Sequence, residues 1–156
     1  MSNVDGQVQW WPTLTVWAVV NSVNLLQTAG FLSRVATGSM DVNRVLGWLI
    51  IALAMPATAA MVAYVRAGAG WRFWIGPAVF DAFALFSLVV DHLYPIEFRS
   101  PRLPVVLVPY LLLFFGSILL MGLPMFRIDL RLWAVTAITT TLLLASMVFA
   151  MARGVG

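Results

Sequence analysis

Cysteine is absent from the 156 residues, no lysine occurs, histidine appears once, and the acids number only six. Without cysteine there are no disulfides, thiolate nucleophiles, Cys-ligated zinc sites or iron–sulfur clusters, although this says nothing about compartment. The lone His92 excludes bis-histidine haem, and no Gly-x-Ser-x-Gly elbow is present to carry a serine nucleophile. Charged residues make up 10% of the chain. A nucleic-acid partner is not expected despite the net charge of +3, because the nine arginines lie singly or in pairs at the ends of apolar stretches. Arginines placed there ordinarily snorkel to headgroups. No cofactor is expected.

What fills the chain instead is hydrocarbon: 62% of residues are hydrophobic, and the mean hydropathy of +0.97 lies outside the range of soluble domains. Five apolar stretches, at about 11–33, 45–65, 73–93, 103–126 and 132–152, are each about 20 residues or a little longer, enough for a helix to span about 30 Å of hydrocarbon. The first is too long and too polar for a secretory h-region and reads as a retained helix. The expected fold is all-α: a polytopic five-helix transmembrane bundle with short loops, one domain over 1–156, and termini on opposite sides. Its expected place is multi-pass in a membrane, taken to be a prokaryotic cell membrane. Expected partners are membrane lipid and either a second copy or another membrane-complex subunit.

Orientation is a near tie. Arg66, Arg72, Arg127 and Arg131 fall on one side, and Arg34, Arg44, Arg99, Arg102 and Arg153 on the other, which sets no topology by the positive-inside rule. Trp10, Trp11, Trp71, Trp74 and Trp133 gather on the first side, one half of an aromatic belt. About ten residues inward from that belt, at a depth of about 15 Å, each helix offers something polar: Asn21, Pro56, Asp81, Ser117 and Thr140. Pro56 belongs to this set because its missing N–H frees a carbonyl one turn earlier.

Helical phase says which of these can meet. Trp17, Asn21, Asn24 and Thr28 are spaced 4, 3 and 4 and form one stripe; Thr136, Thr139 and Thr140 share a face. Around Asp81 its own helix supplies only Pro77, Ala84, Leu85 and Leu88, so its partners must come from elsewhere. The Asn stripe is the first candidate and the threonine face the second. An ionised Asp at the bilayer centre costs about 2.5–3.5 kcal/mol on insertion scales. Lipid exposure is therefore disfavoured, and either Asp81 carries its proton or donors hold it.

Two readings of this layer follow. In one, its amides and hydroxyls are interhelical glue, a non-catalytic packing subunit or scaffold gaining about 1 kcal/mol per bond. In the other, Asp81, Asn21, Asn24, Thr28, Ser117, Thr136, Thr139 and Thr140 bind or conduct a small ligand, proton or cation. Helix three starting only near Pro77 would instead leave Asp81 shallow. A further class, a membrane enzyme, would rest on Asp91, His92 and Glu97, an acid, an imidazole and a second acid able to support acid–base work or a weak metal site. Arg127, Asp129 and Arg131 read as surface ion pairs. Pro56 and Pro109 should kink helices two and four, and the alanines of helix two permit close approach of a neighbour.

Overall fold

The computed structural model describes residues 9–94, 96 and 103–155. Among these the chain is all-helical, with no strand. Helix α1 runs Trp10–Thr37, α2 Asp41–Ala52, α3 Ala54–Arg66 and α4 Trp71–Ser87, the last continued by a π-helical turn over Leu88–Leu93. Then come α5 at Pro104–Gly122, the single turn α6 at Met125–Ile128, and α7 at Leu130–Ala152.

Local chemistry sets these limits. Gly38 ends α1 in the left-handed region (φ 68°), where its N–H reaches the Arg34 carbonyl at 2.8 Å. Asp129 opens α7 by accepting from the Arg131 N–H at 2.7 Å, so it caps a helix where a surface ion pair was expected. Pro56 cannot donate to the Ala52 carbonyl, and the second span accordingly breaks at Leu53 into α2 and α3. By contrast α5 runs unbroken through Pro109, which sits early in the helix. Likewise α4 starts at Trp71 and passes through Pro77, so the shorter helix that would have left Asp81 shallow does not form.

Four segments are long and apolar enough to cross a membrane: Asp41–Arg66, Trp71–Leu93, Pro104–Ile128 and Leu130–Ala152. Helix α1, at 28 residues the longest, falls outside this set because of its polar stripe. That stripe faces inward. Thr13, Asn21, Asn24 and Arg34 are buried while Leu14, Leu25 and Leu32 are exposed. Helix α1 packs on α7 on one flank and on α2 and α3 on another; α4 joins α3 to α5.

Register can be read from the bonds. Trp17 pairs with Leu132, Asn21 with Thr136 and Asn24 with Thr139, each 115 residues apart, so α1 and α7 run parallel. Opposite drift marks the second and third spans as antiparallel: Tyr64 meets Phe73, Thr58 meets Asp81, and Trp48 meets His92. The core is aliphatic around α1 (Val16, Val19, Val20, Val23) and aromatic between α4 and α5, where the Phe83 ring lies 5.2 Å from both Tyr110 and Phe114. Gly76 lets those two helices touch backbone to backbone, since a Cβ there would stand 2.7 Å from the Met121 nitrogen. Large apolar side chains such as Met55, Leu85, Val105 and Leu112 cover the outside, as hydrocarbon solvent requires.

Candidate functional site

The residues expected to share one polar layer fall into separate arrangements. Between α1 and α7 runs a ladder. Asn21 Nδ2 donates to Thr136 Oγ1 (3.1 Å) and to the Trp17 carbonyl (2.7 Å), and its Oδ1 accepts from Thr139 Oγ1 (2.7 Å). One turn on, Asn24 Nδ2 donates to Thr139 and Thr140, each at 3.0 Å, and Thr28 Oγ1 donates back to the Asn24 carbonyl at 2.8 Å. Asn24 is fully buried, and its Oδ1 has no hydrogen-bond partner among the described residues. Trp17 Nε1 extends the ladder to the Leu132 carbonyl at 3.0 Å. The register of α1 against α7 is thus held by polar bonds from Trp17 to Asn24, along about two turns.

Asp81 is not part of it. Neither the Asn stripe nor the threonine face donates to its carboxyl group, which corrects the expectation that these residues hold it. The donor is Thr58 of α3, whose Oγ1 lies 2.8 Å from Asp81 Oδ2. This pair sits at the outer rim of the α3–α4 seam, with Asp81 half-buried and Thr58 exposed. The physical reason is phase: the core-facing positions of α4 are taken by Phe80, Phe83 and Ala84, and Asp81, one residue from Phe80, is turned about 100° away. Its Oδ1 is enclosed with no partner among the described residues, and no cation pairs with it there. Ser117, completely buried, closes on its own helix through the Phe114 carbonyl at 2.7 Å and is likewise apart from Asp81.

Thr58 carries more than this one contact, because its Oγ1 also lies 2.9 Å from the Ala54 carbonyl. A hydroxyl owns one hydrogen. Each contact has its own hydrogen if Asp81 Oδ2 is protonated and donates to Thr58, which then donates to Ala54; otherwise the two acceptors share one hydrogen, as Asn21 Oδ1 and the Thr136 carbonyl share that of Thr139. If Asp81 is ionised, its charge draws the shared hydrogen toward the carboxylate and away from the Ala54 carbonyl. That carbonyl lies directly beyond the break at Leu53, on the turn that Pro56 already weakens. Thr58 was not singled out in the sequence; as the one threonine of the second span, near the depth of Pro56, it was the available signal.

At the other end of the bundle the π-helical turn carries Asp91 and His92. On this wider turn the imidazole lies flat on Trp48, with centroids 4.2 Å apart and planes 13° from parallel. The ring also packs over Gly47, where a Cβ would stand at ordinary contact distance, 3.4 Å. His92 Nε2 is enclosed and unpartnered among the described residues, while Asp91 Oδ2 accepts from Ser87 at 2.9 Å. Glu97 lies outside the described residues. Among those described, no cluster of three or more His, Cys, Asp or Glu forms that could hold a metal. Nearby, with the Asn43 amide turned so that its oxygen faces the guanidinium, Asn43 accepts from Arg34 Nε (2.8 Å) and Nη2 (2.6 Å) and donates to the Gly30 carbonyl (2.7 Å). This buried Arg34 was expected to snorkel to headgroups; it pins α1 to α2 instead. Set against known protein families, curated proteins and solved structures, the chain matches none of them.

Proposed function

We propose that the chain is a five-span membrane protein that takes up and releases one proton at Asp81. The inward polar stripe and outward leucines of α1 support counting it as the fifth span, with the termini on opposite sides. The observation that supports the proton reading is the Asp81–Thr58–Ala54 contact chain, with distances of 2.8 and 2.9 Å, in which a protonated acid gives each contact its own hydrogen. A metal cation is a poorer fit. Two side chains offer oxygens there, whereas calcium takes about six to eight and magnesium about six. In this reading the proton decides whether the Thr58 hydrogen goes to the Ala54 carbonyl or to the acid, so one titration acts on the first turn of α3.

Difference infrared spectroscopy of the lipid-reconstituted protein tests it through the carboxylic C=O stretch. The expected result is a band that comes and goes reversibly with pH, is missing in Asp81→Asn, and is shifted but retained in Thr58→Val. A band of wild-type amplitude in Asp81→Asn, or no titrating carboxyl at any pH where the protein stays folded, overturns the proposal. The α1–α7 ladder favours a second reading, a scaffold whose polar groups only fix helix register, and that reading predicts the latter outcome.

A further inference from the structure

The tryptophan-rich side of the bundle carries a feature that neither the ladder nor Asp81 uses. Between the start of α1 and the end of α3 lies an open groove of about 350 Å³. Its floor is Ala59, Ala63 and Ala67, spaced by one turn each and so extending about 12 Å along the helix axis. Gln9, Trp11, Val62 and Arg66 complete its lining. Arg66 is exposed, and its side chain makes no ion pair or hydrogen bond among the described residues. Nor do the terminal carbonyls of α3 claim it. Those of Ala63, Tyr64 and Val65 are taken by the N–H groups of Ala67, Ala69 and Gly68 at 2.9–3.1 Å, with Gly68 in the left-handed region (φ 66°).

A cation at the headgroup level above a small-residue trough of hydrocarbon width has the shape and charge of one amphiphile. We infer that the groove is a binding site for an anionic phospholipid, with the phosphate on the Arg66 guanidinium, an acyl chain along Ala59 and Ala63, and the Trp11 indole at the glycerol level. The alanines are what separate this place from the other arginine-bearing helix ends: larger side chains would leave no trough, and the chain would be held by charge alone. The inference shares the membrane placement proposed above but is independent of proton exchange at Asp81.

The test is native mass spectrometry of the protein released from nanodiscs containing equal phosphatidylglycerol and phosphatidylcholine. One phosphatidylglycerol should be retained in preference to phosphatidylcholine. Arg66→Gln should weaken retention about tenfold, the loss of one charge-assisted bond, and Ala63→Phe should abolish it by filling the trough. Arg127→Gln, which removes the same charge from the same side, should leave it unchanged, and excess inorganic phosphate should not displace the lipid. Equal retention of the two lipids, equal losses in Arg66→Gln and Arg127→Gln, or displacement by phosphate alone overturns the assignment. The Asp81 infrared band should be the same in Arg66→Gln as in the wild type, so failure of one proposal is distinguishable from failure of the other.

Discussion

Substituting Gly76 by alanine places a methyl group where the backbone of α5 already is. The added carbon would lie 2.7 Å from the Met121 nitrogen, 2.8 Å from the Leu120 carbonyl carbon and 2.9 Å from its oxygen. All three are backbone atoms, so no rotamer change relieves the clash. To reach an ordinary contact of 3.4 Å the two helices must part by about 0.7 Å, and a gap of that size forfeits about a quarter to a half of each dispersion contact along the seam. The Phe83–Phe114 and Phe83–Tyr110 pairs, with centroids at 5.2 Å, lie on that seam. The expected cost is about 1–3 kcal/mol, typical of overpacking, set against a gain of up to about 1 kcal/mol from replacing a helical glycine. Gly116→Ala provides the control. Its nearest neighbour is Val79 Cγ1 at 4.0 Å, so only the propensity gain remains and the protein should become more stable. Unfolding in mixed micelles, followed by tryptophan fluorescence, reads both variants. If Gly76→Ala is as stable as Gly116→Ala, α4 and α5 do not meet backbone to backbone, and the register of this helix pair is wrong.

The α1–α7 ladder predicts unequal costs in the same assay: Asn21→Leu removes three satisfied bonds and should lose about 0.6–1.7 kcal/mol. Asn24→Leu also relieves an unpartnered Oδ1 and should cost less; the reverse order would mean that the two amides are not placed as described. His92→Ala should lose about 0.5–1.5 kcal/mol with its Trp48 stack and leave the Asp81 carboxyl band in place, whereas a vanished band would tie the two ends of the bundle into one site.

The helical content was legible because it is local; the break was only half so, since Pro56 interrupts the second span while Pro109, read the same way, leaves α5 continuous. Apolar length marks the spans, and a missing N–H at Pro56 frees a carbonyl wherever the helix sits. The stripe of Asn21, Asn24 and Thr28 and the face of Thr136, Thr139 and Thr140 were legible too, as matching helical periods. Their mutual pairing was not, since a helical period says which residues share a face but not which helix that face meets or in what register. The role of Asp129 went unseen because a cap and a surface ion pair draw on the same residue types.

Asp81 marks the boundary between the two kinds of knowledge. Composition and period alone determined that the chain is helical and apolar and that one acid lies about ten residues into a long apolar helix. Only the tertiary structure decided that Phe80 and Phe83, rather than the carboxyl group, take the inward positions of α4, and that Thr58 is the neighbour at the seam. Depth along a helix is counted in residues, but the side that a helix presents is decided by the competition of all its side chains for the interior. In α4 two aromatic rings hold it by close packing, Phe83 lying 5.2 Å from both Tyr110 and Phe114, because between helices in lipid it is packing fit rather than removal of apolar surface that favours contact.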